Sequence, residues 1–164
     1  MTLNASQRRR SGPARASCAL VAFSCLFLLL SCSVGKKVRR AFGGSLPIEV
    51  TVHDDINDQS PVAVDLLIVY DDKIVDDLLK IPAADWFVKK KQFIADHPSV
   101  IVQGWEWVPG QVVDPFKIEY RPGARNVVLY ADYHSEGDHR AVVGSPKPFR
   151  LVLGERDLSV EVIQ

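Results

Sequence analysis

Four histidines and two pairs of adjacent aspartates are the side chains with the most obvious capacity for acid–base or metal chemistry. His134 and His139 flank Ser135-Glu136-Gly137-Asp138 and could meet across a turn, but no cysteine or third histidine stands near them. Two ligands hold zinc poorly, so a solvated turn is the expectation there. His53 and His97 are isolated. Asp71-Asp72 and Asp76-Asp77 repeat at helical spacing. Acids in a first helical turn are favoured by the helix dipole, and general acid–base work needs a burial that this pattern does not promise. No glycine-rich phosphate loop, Gly-x-Ser-x-Gly or His-Glu-x-x-His occurs. The reading is therefore not an enzyme, with no catalytic residue, no metal and no cofactor.

The cysteines point to a different reaction. All three, Cys18, Cys25 and Cys32, lie in the first 32 residues, so nothing downstream can form a disulfide or a thiolate metal site. Arg8, Arg9, Arg10 and Arg15 precede thirteen uncharged residues, Cys18 to Leu30. As a helix that stretch spans roughly 20 Å, short of the roughly 30 Å of a bilayer core. A positive leader, a short apolar run and small residues after it describe a secretory signal. Leu29-Leu30-Ser31-Cys32 then resembles the bacterial lipobox, in which the cysteine thiol takes a diacylglycerol before the signal is cut. Cys32 would begin the mature chain and carry acyl chains such as palmitate. Several chains on one residue suffice to hold a protein on a bilayer. Ser33, in place of an aspartate, favours sorting to the outer membrane.

Charge follows the same division. The whole chain of 164 residues has a formal net charge of zero, but residues 1–31 hold four Arg and no acid. Without them 16 basic and 20 acidic residues remain, a net charge of −4. No basic excess invites nucleic acid. Residues 32–45 read as a lipidated tether, with Lys36, Lys37, Arg39 and Arg40 able to touch anionic head groups, though a soluble linker is the plainer reading.

The elements that must support any site are mostly strands. Leu46–His53 alternates, and Val62–Tyr70 is a nearly continuous apolar run of the kind covered on both faces. Strand-like segments return at 100–107, 112–120, 126–133, 140–143, 149–153 and 158–163, with Pro and Gly between them. Helical spacing predicts a helix near 72–80 and another near 83–95, the latter with Trp86, Phe87, Phe93 and Ile94 inward and Lys89–Lys91 outward. The fold expected is mainly β, a two-sheet β-sandwich over 46–164 with a short helical insertion at about 71–96. Trp105 and Trp107 share one face of a strand and are read as core aromatics, with an interface anchor as the other reading. Residues 53–60 carry three Asp, two amides and a Ser, which is an exposed connection on a rigid base.

This order of features resembles the type VI secretion system outer-membrane lipoprotein family, TssJ. The resemblance rests on LLSC, the strand IEVTV, a polar loop with Asn and Pro, and the strand PVAVDLLIVY. It continues through ADWF in the helical insertion, WEWVPGQ, and ARNVVLYADYHSEGDHRAVV. It implies a transthyretin-like sandwich anchored in the outer membrane through Cys32 and facing the periplasm. It further implies a structural role, binding the periplasmic region of a TssM-like inner-membrane protein. The family's contact loop maps onto Asp54, Asp55, Ile56, Asn57, Asp58, Gln59 and Ser60, with Ile56 as the apolar contact. The alternative is a generic exported sandwich lipoprotein that binds a ligand or envelope component near Trp105 and Trp107.

Overall fold

The computed structural model describes residues 43–163, which all fall in one compact unit. The eight strands are β1 (Gly44–Val52), β2 (Val62–Val69), β3 (Ile101–Trp107), β4 (Phe116–Tyr120), β5 (Asn126–Ala131), β6 (Arg140–Gly144), β7 (Phe149–Leu153) and β8 (Leu158–Val162). Two helices, α1 (Asp72–Leu78) and α2 (Ala83–Asp96), separate β2 from β3. The strands form two four-stranded sheets, ordered β4-β1-β7-β8 and β3-β2-β5-β6. Every pairing is antiparallel except β1 with β7, which run parallel from Ile48↔Phe149 to Val52↔Leu153.

Period-two alternation explains the first sheet. Leu46, Ile48 and Val50 of β1 and Phe149, Leu151 and Leu153 of β7 all point into the space between the sheets. The opposite face is solvated. There Arg150 lies opposite both Glu49 and Glu161 and bonds to each, at 2.7 and 3.2 Å. These are exposed pairs that hold register more than they add stability.

The second sheet is covered twice, as the apolar run of β2 requires. Val64, Leu66 and Ile68 face the first sheet. Leu67 and Val69 face the helices, together with Val128 and Tyr130 of β5. Trp86 of α2 stacks on Tyr130, with ring centroids 5.0 Å apart and planes 9° from parallel, and Phe93 meets Trp86 edge-on. The Tyr130 hydroxyl donates to the Leu78 carbonyl at 2.7 Å, and burial pushes its pKa well above the usual phenol range. Asp71 caps α1 by accepting from the Lys73 N–H. The start of α2 is tied to the β5–β6 connection, where Ala83 N–H donates to the Asp138 carbonyl.

One residue interrupts this apolar layer. Asp65, in the middle of β2, is only 4% exposed. Its Oδ2 accepts from Trp86 Nε1 at 2.8 Å and from Lys90 Nζ at 2.9 Å. Trp86 and Lys90 stand four residues apart on α2, so one helix face brings both donors to one carboxylate. The outward placement expected for all of Lys89–Lys91 is thus corrected at Lys90, whose stem lies along the helix–sheet junction while its ammonium reaches inward. Gly104, opposite Asp65 on β3, leaves the carboxylate its room: a Cβ there would stand 2.7 Å from Asp65 Oδ1.

The other departures from expectation are local. The first strand starts at Gly44, before the expected boundary at 46. The segment expected as a strand over 112–120 is strand only from Phe116. Val112 is exposed, and Pro115, which has no N–H to give to a ladder, precedes the pairing with β1.

Removing the carboxylate with Asp65→Ala strands the buried Trp86 indole N–H and should cost about 1–3 kcal/mol, since the Lys90 ammonium, on a side chain 35% exposed, can turn to water. Gly104→Ala should also destabilise, because Asp65 is held by two bonds and cannot yield. Denaturant titration of both variants checks this, and an unchanged midpoint for either would show that the carboxylate is not the tie between helix and sheet.

Candidate functional site

The connections at one end of the two sheets form a continuous assembly. They are 53–61 between β1 and β2, 108–115, 132–139 and 154–157. His53 N–H donates to the Leu153 carbonyl, and Gly110 N–H donates back to the His53 carbonyl. Gly110 has φ +66°, and a Cβ there would collide with the Asp54 carboxylate, so this turn requires glycine.

Within 53–61 the chain makes a tight turn over Ile56–Gln59. Asn57, Asp58 and Gln59 are all left-handed, with φ of 48°, 54° and 62°. Such geometry costs roughly 1–2 kcal/mol per residue and seldom occurs in succession. It persists where surrounding bonds enforce it, and Asn57 supplies them. Its backbone N–H donates to the Glu155 carbonyl at 2.8 Å, its Oδ1 accepts from His134 N–H at 2.6 Å, and its Nδ2 donates to the Pro61 carbonyl at 3.0 Å. Ile56 beside it is fully buried in the inter-sheet core.

The expected site residues therefore divide. Asp54, Asp55, Asp58 and Gln59 are exposed, and Ser60 is half-buried. Ile56 and Asn57 are buried, at 0% and 3% exposure. This corrects the expectation that the whole stretch is an exposed connection with Ile56 as its apolar contact: Ile56 anchors the turn from below, and Asn57 fixes its shape. The polar side chain can be buried because all of its bonding groups are used. Cys32 lies outside the described residues.

A second departure is His139, expected on a solvated turn. It is buried, left-handed at φ 42°, and packs against Tyr133. Its Nε2 meets the Ser135 carbonyl at 2.7 Å and its Nδ1 meets Asp157 Oδ1 at 3.1 Å. Serine, histidine and aspartate thus stand together, but the Ser135 hydroxyl donates to the Arg156 carbonyl at 2.8 Å. With both ring nitrogens and the hydroxyl engaged on protein atoms, the cluster is a clasp between the 132–139 and 154–157 connections. It presents no free nucleophile, and neither ring nitrogen is left for a metal. Among the described residues no group of three or more His, Cys, Asp or Glu could hold one.

What this end presents to solvent is carboxylate. Asp132, Glu136, Asp138 and Glu155 join Asp54, Asp55 and Asp58 on the exposed surface, while Arg156 is the one lysine or arginine in these four connections. Clustered acids around a pinned turn can steer and orient a basic protein surface. Trp105 and Trp107 take no part. They stack on each other at 5.5 Å, Trp105 against Phe116, and pack with the inter-sheet core. The sequence reading missed His134, His139, Asp157 and Glu155 as supports of the turn. The asparagine within an aspartate-rich loop was the available signal, since Asn and Asp tolerate left-handed backbone best.

Two four-stranded sheets with two helices over the outer face of one define a helix-decorated β-sandwich. This is the fold of the type VI secretion system TssJ lipoproteins. The similar solved structures include the T6SS lipoprotein TssJ1 from Pseudomonas aeruginosa, with TM-score 0.57 and 14% identity, covering 74% of this chain and 98% of that one. Serratia marcescens Lip, a membrane-bound component of the type VI secretion system, gives TM-score 0.58 and 15% identity over 74% and 99%. A chain in the structure of the T6SS protein TssM C-terminal domain from EAEC gives 0.53 and 15% over 74% and 98%. No family model matches the sequence, and no curated protein does.

Asn57→Ala and Asn57→Gly both lose the side-chain bonds, but only alanine keeps the cost of a Cβ in left-handed backbone. Alanine should therefore be the worse by about 1 kcal/mol. Equal unfolding free energies for the two would mean that the turn relaxes when its bonds go.

Proposed function

We propose that the chain is a TssJ-type lipoprotein of a type VI secretion membrane complex. Cys32 holds it on the outer membrane, and its acidic end binds the periplasmic region of a TssM-like inner-membrane protein. The observation that carries this reading is the pinned 53–60 turn. It holds Asp54, Asp55 and Asp58 outward on a backbone whose order is already set, so little entropy is lost when a partner docks. Its place also suits the role. The described chain begins at Gly43, at the end of β1 opposite the turn, and nine strand residues span roughly 30 Å. The fold likeness to secretion-system lipoproteins supports a structural, non-enzymatic part.

The test keeps the buried anchors and changes only charge. A variant carrying Asp54→Asn, Asp55→Asn and Asp58→Asn should melt as the parent does. It should bind the periplasmic C-terminal region of the TssM-like protein from the same genome at least about tenfold more weakly, mostly through slower association with less salt dependence. Unchanged affinity would move the interface off this end.

Cys32→Ser should abolish incorporation of a palmitate analogue and release the protein from the membrane fraction. Labelling that persisted in the serine variant would place the lipid elsewhere.

A further inference from the structure

With Ile56 buried in the core, the acidic turn has no apolar contact of its own to offer a partner. One stands beside it. Among the described residues six large apolar side chains are exposed, and two of them, Val108 and Val112, flank a single reverse turn. Val112 is 91% exposed, the most of the six, and Val108 is 49% exposed. Apolar side chains scattered singly over a surface are ordinary, but these two are paired and held in place. The Val108 carbonyl accepts from the Gln111 N–H, and the Val108 N–H donates to Gln111 Oε1, each at 3.1 Å. Gly110 ties the turn to the acidic loop through the His53 carbonyl, and the Asp54 carboxylate lies against it. Val113 packs on the inter-sheet core and anchors the segment next to the exposed valine. Charge surrounds the pair. Glu106 and Asp114, each two residues beyond a valine, are exposed, as are Asp54 and Asp55. No lysine or arginine occurs in 92–116 or in 53–72. The basic side chains of the neighbouring connections are Arg156 and, at the start of β6, Arg140, which pairs with Asp138 at 2.9 Å.

We infer that Val108 and Val112 are the apolar centre of the partner-binding surface, and that their occupant is a part of the TssM-like periplasmic region that sets an apolar side chain among lysines or arginines. The inference rests on the reading of this end as the one that binds such a protein, and it supplies the contact that Ile56 cannot make. Charge complementarity commits it to that occupant. Carboxylates around two valines ask for a partner whose rim is cationic and whose centre is apolar. A second copy of this chain would set carboxylate against carboxylate, and an anionic bilayer would be repelled in the same way. The two kinds of group then divide the work. The acids act at a distance and govern the encounter, while the valines act only once water has been excluded from them and so govern release. The turn that holds them is already closed by its own bonds, so little order has to be created on docking.

The test measures association and dissociation rates of the full chain, held in phosphatidylcholine nanodiscs, with the periplasmic C-terminal region of the TssM-like protein from the same genome. One variant carries Val108→Ser and Val112→Ser, and the other the three Asp→Asn changes at 54, 55 and 58. Both valines are exposed, so the serine variant should melt as the parent does. It should dissociate about tenfold faster, the effect expected for losing the burial of two partly covered valines, with association and its salt dependence unchanged. A variant carrying Val108→Leu and Val112→Leu should bind within a few-fold of the parent. Parental dissociation of the serine variant, alongside weakened binding of the asparagine variant, overturns the valine contact while leaving the reading of the acidic end intact. Parental rates for both variants move the interface off this end and overturn the two together.

Discussion

The carboxylate of Asp65 is the point through which helices and sheets are joined. A sandwich of eight short strands can close its inter-sheet core without any helix, as the inward residues of β1, β7, β2 and β5 do here. The insertion between β2 and β3 is different, because α1 and α2 have only the outer face of one sheet to rest on. Apolar contact supplies their burial but not a unique position, since ridges on a helix can slide over a flat apolar surface. A single buried oxygen that must receive both an indole N–H and an ammonium removes that freedom. The stacking of Trp86 on Tyr130, the Tyr130 bond to Leu78 and the tie from Ala83 to Asp138 all presuppose that α2 is where Asp65 puts it.

That placement reaches the acidic end of the molecule. The connection that receives Ala83 is the same 132–139 segment whose His134 N–H fixes Asn57 and whose His139 clasps Asp157. The left-handed turn at 57–59 is consequently braced from two sides, by the β5–β6 connection and by the β7–β8 connection through Glu155. A loop of this composition would ordinarily be a mobile surface segment. Here its backbone is specified by bonds to elements more than seventy residues away.

Much of this was legible in the chain itself. The strands β1, β7 and β8 and both helices follow periodicity closely, because each has one face committed to a core, while β2 and β5 are nearly continuous apolar runs because both of their faces are covered. The resemblance to TssJ lipoproteins, carried by segments such as PVAVDLLIVY and ARNVVLYADYHSEGDHRAVV, is matched at the level of the fold. What was hidden were polar residues satisfied only by distant partners. Asp65 sits in an apolar run where its neighbours announce burial, but nothing local says that Lys90 will meet it. Asn57 and His139 belong to segments whose composition suggests solvent, and their burial depends on backbone groups supplied by other turns. Val112 and Val113 read as strand because β-branched residues favour it, yet Pro115 delays the pairing until Phe116.

The parallel pairing of β1 with β7 carries a temporal consequence. Ile48 finds Phe149 across 101 positions of chain, and β1 also needs β4, so the first strand made is the central partner of two strands made much later. In a chain made amino end first, β1 must wait with both edges unpaired until β4 at 116–120 exists, and with one edge unpaired until β7 at 149–153 follows. The first sheet therefore cannot be completed from the amino-terminal half of the chain alone. That lateness is not imposed on this topology from outside. It follows from the order in which the strands are stitched.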